Sequence, residues 1–153
     1  MSRVTETGPD KAAQGKWGVE DLRERPASKG SIVYHIKVIS DTKTLTTGDG
    51  KFIWAVPQDV GGLNLLDVEI DVTTVSTSGI VQVQLRNITQ AADMLTTKVQ
   101  VDANEFHSKD AATQPVVDLA NDDVVIGDRL AIDVDAAGTG AKGLGVVLTF
   151  GTS

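Results

Sequence analysis

Strict two-residue alternation of apolar and polar side chains, running through most of the chain after residue 30, restricts this sequence more than any other feature. In Leu66-Asp67-Val68-Glu69-Ile70-Asp71-Val72 every second residue is aliphatic and every residue between is acidic. Successive side chains of a strand point to opposite faces, so this pattern predicts a half-buried β-strand and conflicts with a helical stripe of period 3.6. It places Leu66, Val68, Ile70 and Val72 inside and Asp67, Glu69 and Asp71 in water. The same period puts Ile32, Tyr34, Ile36 and Val38 on one face. Over Ile80–Arg86 it buries Val81, Val83 and Leu85 and exposes Gln82, Gln84 and Arg86. Over Arg129–Asp135 it turns Leu130, Ile132 and Val134 inward.

Turn chemistry separates these runs. Gly48-Asp49-Gly50 between the Thr44–Thr47 run and Phe52–Val56 reads as a hairpin that Pro57 ends, and Ser76-Thr77-Ser78-Gly79 makes the next reversal. Met94–Val101 reads as one further strand. A polar loop over 102–115 follows, with Phe106 as the residue that would pin it. Gly127-Asp128 is a turn, and the Gly138–Gly143 loop leads as a flexible hairpin into a last strand, Leu144–Phe150. It lies between strands, not ahead of a helix, which argues against phosphate binding. About eight strands at this spacing suit an all-β antiparallel sandwich. The 20 valines agree with that, and 16 aspartates against 5 glutamates agree with many tight turns.

Residues 1–30 differ in kind. They hold 6 basic and 5 acidic residues against 8 and 16 in the rest of the chain, with Gly8-Pro9, Pro26 and Gly30 and few large apolar groups. Such a segment cannot build a core of its own, so 1–30 is expected to be an extended arm and 31–153 the β-domain. Within the arm, Trp17 and Leu22 are the apolar anchors and Arg23 and Arg25 the cations for contact with a partner. The chain has no cysteine, which excludes disulfides and thiolate metal sites. A net charge of −7 opposes binding to nucleic-acid phosphates and anionic membranes. Neither a secretory leader nor an apolar membrane span is visible, so synthesis in a cytosol is expected.

Gly48-Asp49-Gly50-Lys51, Gly62-Leu63-Asn64-Leu65, Thr77-Ser78-Gly79, Gln84-Leu85-Arg86-Asn87 and Ala120-Asn121-Asp122-Asp123-Val124, followed by Val124–Val134 with its Gly127-Asp128 turn and by Leu144–Phe150, together resemble the jelly-roll modules of tailed-bacteriophage virion proteins. The resemblance runs from about Thr44 to Phe150 and leaves the arm unmatched. It implies a jelly-roll-like sandwich, a homotrimer, and a non-enzymatic place in the virion. Decoration or cement protein on the head comes first, held to the major capsid protein or another virion protein by the arm. A tail-fibre or baseplate component contacting a host receptor is the alternative.

Chemistry-bearing residues are few. The two histidines, His35 and His107, lie far apart in sequence with no nucleophile motif around them, so no catalytic residue is assigned. Asp133, Asp135 and Asp128 are the carboxylates that could converge on calcium, which needs several oxygen ligands from separate segments. A solvated acidic face is the competing reading and the one adopted, with no metal and no cofactor. A calcium-dependent glycan-binding module is therefore the third alternative. Tyr34 and Trp54 are possible sugar-stacking aromatics, but core packing is the expectation for Trp54.

Overall fold

The computed structural model describes residues 30–153, so Trp17, Leu22, Arg23, Arg25 and the proposed arm fall outside the described residues. The described strands are β1 (Ile32–Thr44), β2 (Gly48–Ala55), β3 (Asn64–Thr74), β4 (Val81–Asn87), β5 (Ala92–Asp93), β6 (Leu95–Thr97), β7 (Val99–Val101), β8 (Val116–Val117), β9 (Arg129–Ala137) and β10 (Lys142–Gly151). A single 3-10 turn, Ser108–Asp110, interrupts them. All pairings are antiparallel. One sheet has the order β1-β10-β3, and the other runs β2-β9-β4 with both β5 and β7 along the outer side of β4. β6 and β8 form a two-stranded patch.

The pairing has a nested order. The first strand pairs with the last, β1 with β10, and the second with the second-last long strand, β2 with β9. The third, β3, is bordered by residues 106–108: Val72 N–H donates to the Phe106 carbonyl at 2.9 Å, Asp71 bridges His107, and Ile70 N–H donates to Ser108 Oγ at 3.1 Å. The fourth, β4, closes the series on its near neighbours β5 and β7. A ribbon paired in this nested way, with its strands alternating between two sheets, is a jelly roll. The expected all-β, jelly-roll-like sandwich is what the chain forms.

Its core lies between the sheets. Val68, Ile70 and Val72 of β3 and Leu144, Val146, Leu148 and Phe150 of β10 meet Val81, Val83 and Leu85 of β4 and Leu130, Ile132 and Val134 of β9 in one buried cluster. On the β1–β2 side an aromatic trio closes the sandwich: Trp54 stacks on Phe150 at 5.7 Å between ring centroids, and Tyr34 lies 5.0 Å from Trp54. Trp54 thus packs on the core, and the Tyr34 hydroxyl donates to Asp59.

Several details depart from the sequence reading, among them the burial of Gln84, which alternation places in water. The three reversals at 45–47, 75–80 and 138–141 join strands of opposite sheets, so the Gly48–Gly50 hairpin and the 138–143 hairpin do not exist and Gly48–Gly50 lies inside β2. The Gly138–Gly143 loop is also clasped: Thr139 N–H donates to Ser76 Oγ at 2.9 Å, and Thr77 N–H to the Thr139 carbonyl at 2.9 Å. Leu65 is buried where Leu66 was expected, because Phe150 pairs with Leu65 and Thr149 with Asp67, leaving Leu66 as the extra residue of a bulge. Met94–Val101 is not one strand. Val99–Val101 pairs with β4, and Leu95–Thr97 swings out to pair with β8. Phe106 does not pin its loop, since it is 58% exposed, whereas Ser108 is buried and anchors the segment to β3.

Candidate interaction surface

The two histidines occupy the outer face of the β1-β10-β3 sheet. His35 sits on β1, across Val147 of β10 from Glu69 of β3. His107 accepts a hydrogen bond from Lys109 N–H on Nδ1 at 3.0 Å, capping the 3-10 turn, and its Nε2 lies 3.5 Å from Glu69 Oε1. Beside His35 a shallow groove of about 300 Å³ opens where Gly145 supplies no side chain, lined by Lys37, Asp71 and Val147.

The three aspartates considered for calcium are not brought together. Asp133 is buried and holds Arg86 by two contacts, Nε to Oδ2 at 2.9 Å and a terminal nitrogen to Oδ1 at 3.3 Å. Gly50 N–H adds a third bond to Oδ1 at 2.6 Å. The hydrogen bond to Asp133 raises the Arg86 pKa above its ordinary value. Asp135 pairs with Lys98 at 2.8 Å. Asp128 immediately precedes β9, at the end of that strand away from Asp135, and is engaged by its own donors. Among the described residues no cluster of three or more His, Cys, Asp or Glu side chains could hold a metal ion. The solvated acidic face holds in part: Asp135 is exposed, as are Asp67 and Asp71 on β3, whereas Asp133 and Asp128 are buried, with donors on both Asp133 oxygens and on Asp128 Oδ2.

The feature the sequence did not disclose is at one end of the sandwich. The connections 56–63, 88–91 and 118–128 meet there through Val56 N–H to the Asp128 carbonyl at 2.8 Å, Gly62 N–H to the Val124 carbonyl at 2.8 Å, and Gln90 Nε2 to the Asp123 carbonyl at 3.3 Å. At their crest stand Val125 and Ile126, 57% and 59% exposed, and the same connection carries Leu119 at 79%. The crest is a four-residue turn: Asp128 N–H donates back to the Val125 carbonyl at 2.9 Å, and Gly127 at the third position has φ 88°. A positive φ at that position is the requirement of a type II turn and is what glycine supplies.

Asp128 fixes the crest from beneath. Its Oδ2 accepts from Asn87 Nδ2 at 3.0 Å, Gln90 Nε2 at 2.7 Å and Val125 N–H at 3.0 Å. Burial by itself would raise this carboxyl's pKa, but the bonds from Asn87, Val125 and Gln90 together outweigh it and hold the group below the ordinary aspartate value. Ile126 leans over Gly61 so closely that a β-carbon there would overlap it. The Gly127-Asp128 pair was legible as a turn. That the two aliphatics before it would face solvent was not, because Val124-Val125-Ile126 has the composition of a buried strand.

No known protein family, curated protein or solved structure matches this chain.

Proposed function

We propose that the chain is a non-enzymatic structural protein of a tailed-bacteriophage virion, a trimeric decoration or cement protein joined to the capsid by residues 1–30. The nested jelly-roll pairing is the observation that supports this reading, because it is the architecture the motifs between Thr44 and Phe150 imply. Binding, not turnover, is then the activity. The arm's Trp17 and Leu22 would bury against a virion protein, and Arg23 and Arg25 would meet its carboxylates or carbonyls. Copies repeated around a symmetric shell turn modest contacts into high avidity.

The test is reconstitution. Particles prepared without this chain are mixed with wild-type, Trp17→Ala and arm-deleted protein, and bound copies and particle survival on heating are measured. Truncating a buried interface tryptophan costs about 2 kcal/mol or more, so Trp17→Ala should lower affinity roughly thirtyfold. Full retention of the arm-deleted protein would remove the arm from the mechanism, and binding confined to tails would favour the fibre reading.

A further inference from the structure

We infer that the loop end carrying Val125 and Ile126 is a second contact with the same particle, seated in an apolar recess of a virion protein whose rim is basic. The inference rests on the proposed virion role and adds a footprint on the body to the one on the arm.

Preorganisation is the first argument. Two exposed aliphatic side chains stand on a turn that is held by a buried carboxylate with three donors on one oxygen, by Gly127 N–H to the Val56 carbonyl at 2.9 Å, and by the close seat of Ile126 on Gly61. Holding a loop in its bound shape raises affinity by removing the ordering cost of association. A loop whose only task is to connect β8 to β9 has no need of such a brace.

The opposite end of the sandwich supplies the contrast. There Leu45 and Ala141 are 4% and 0% exposed, and the connections present Thr46, Thr47, Thr77, Ser78 and Thr139 to solvent. Among the described residues the large aliphatics exposed on connections are Leu119, Val125 and Ile126, all in 118–128, whereas Val33, Ile53, Leu66 and Val116 are exposed on strands.

Charge identifies the partner. The connections 56–63, 88–91 and 118–128 contain Asp59, Asp118, Asp122, Asp123 and Asp128 and no lysine or arginine, with Arg129 following as the exposed first residue of β9. Asp122 and Asp128 are buried, while Asp59 and Asp123 are exposed around the crest. A greasy tip with an acidic surround fits an apolar recess with a lysine or arginine rim. A second copy presenting the same end would set carboxylate against carboxylate, which disfavours this end as a self-contact. The first residue of β1, Ile32, pairs with Phe150 beside Leu65, so β1 starts at this end as well.

The experiment uses the full-length chain and particles prepared without it. Val125→Asp and Ile126→Asp should each weaken binding at least tenfold and Asp123→Lys several-fold, with unfolding midpoint and gel-filtration volume of the free protein unchanged. Phe106→Asp, an equally exposed apolar residue near the other end of β3, should bind as wild type does. If Ile126→Asp fails to fold because of its seat on Gly61, Val125→Asp decides. Wild-type-like binding by the crest variants, while Trp17→Ala is impaired, overturns the inference and leaves the virion reading intact. A crest variant that instead changes self-association of the free protein overturns it in favour of a copy–copy contact. Failure of the wild type to bind particles at all overturns both.

Discussion

Two buried polar side chains, Asp128 and Gln84, each replace backbone pairing that the strands cannot provide. Asp128 keeps its charge because Asn87, Gln90 and Val125 N–H all point at Oδ2, which depresses its pKa on folding. A carboxyl with a lowered folded pKa contributes stability that is complete above the unfolded value of about 3.9 and is lost as pH falls through the folded value. Asp128→Asn should therefore cost about 1–3 kcal/mol at pH 7, and the deficit relative to wild type should shrink below about pH 4. Urea unfolding at a series of pH values measures both, and a deficit that stayed constant into acid would show that charge is not what Asp128 contributes. Gln84 lies where the chain between β5 and β7 bulges away from β4. Its amide donates to the Leu95 carbonyl at 3.1 Å and its oxygen accepts Leu95 N–H at 3.2 Å, taking the place of the absent strand. Gln84→Ala should cost about 2–4 kcal/mol by leaving both Leu95 groups unpaired, while Gln82→Ala, on a partly exposed neighbour, should cost under about 1 kcal/mol. Alternation marked Gln84 and Asp133 as wet because it assumes one solvated face per strand. The sequence cannot show that the outer face of β4 and β9 is covered by a bulge and by Arg86.

At the scale of elements, periodicity located nearly every long strand, and turn residues located nearly every reversal. What local signals could not supply was the partner of each strand. Glycine and serine clusters mark where a chain turns back, but a reversal within one sheet and a crossing to the facing sheet use the same turn residues. The 45–47, 75–80 and 138–141 connections all cross. Bulges were hidden for a related reason. One extra residue exchanges faces for everything beyond it, and Leu65-Leu66 offers two leucines of equal hydrophobicity. The structure makes the choice: Leu65 is 1% exposed and Leu66 39%. Leu65→Ala should destabilise by about 2–5 kcal/mol, as other buried leucine truncations do, and Leu66→Ala by under about 1 kcal/mol. Equal losses on chemical denaturation would mean that the bulge lies elsewhere in β3.

For the whole molecule, the nested order makes the two ends of the chain unequal. β10 is the middle strand of its sheet, hydrogen-bonded to β1 on one side and β3 on the other, and it brings Leu144, Val146, Leu148 and Phe150 into the core at 0–1% exposure. Deleting residues 142–153 would strip two strands of their common neighbour and open the core along its length. No cooperative unfolding transition should remain. Residues 1–30 stand otherwise: the buried cluster of the described residues is drawn from Leu45 to Phe150, and the body from Ile32 to Ser153 forms its own compact unit. Protein lacking 1–30 should therefore unfold cooperatively within about 2 °C of the full chain, a shift corresponding to under about 0.5 kcal/mol for a domain of this size. Pairing the first strand with the last also demands closure of nearly the whole domain before either edge is stable, so refolding should take milliseconds to seconds, without the microsecond phase of a helical protein. Calorimetry of the two truncations and stopped-flow refolding of the 31–153 fragment test this together. A C-terminal deletion that still melted cooperatively would contradict the central place of β10, and an arm deletion that did not would put residues 1–30 in the core.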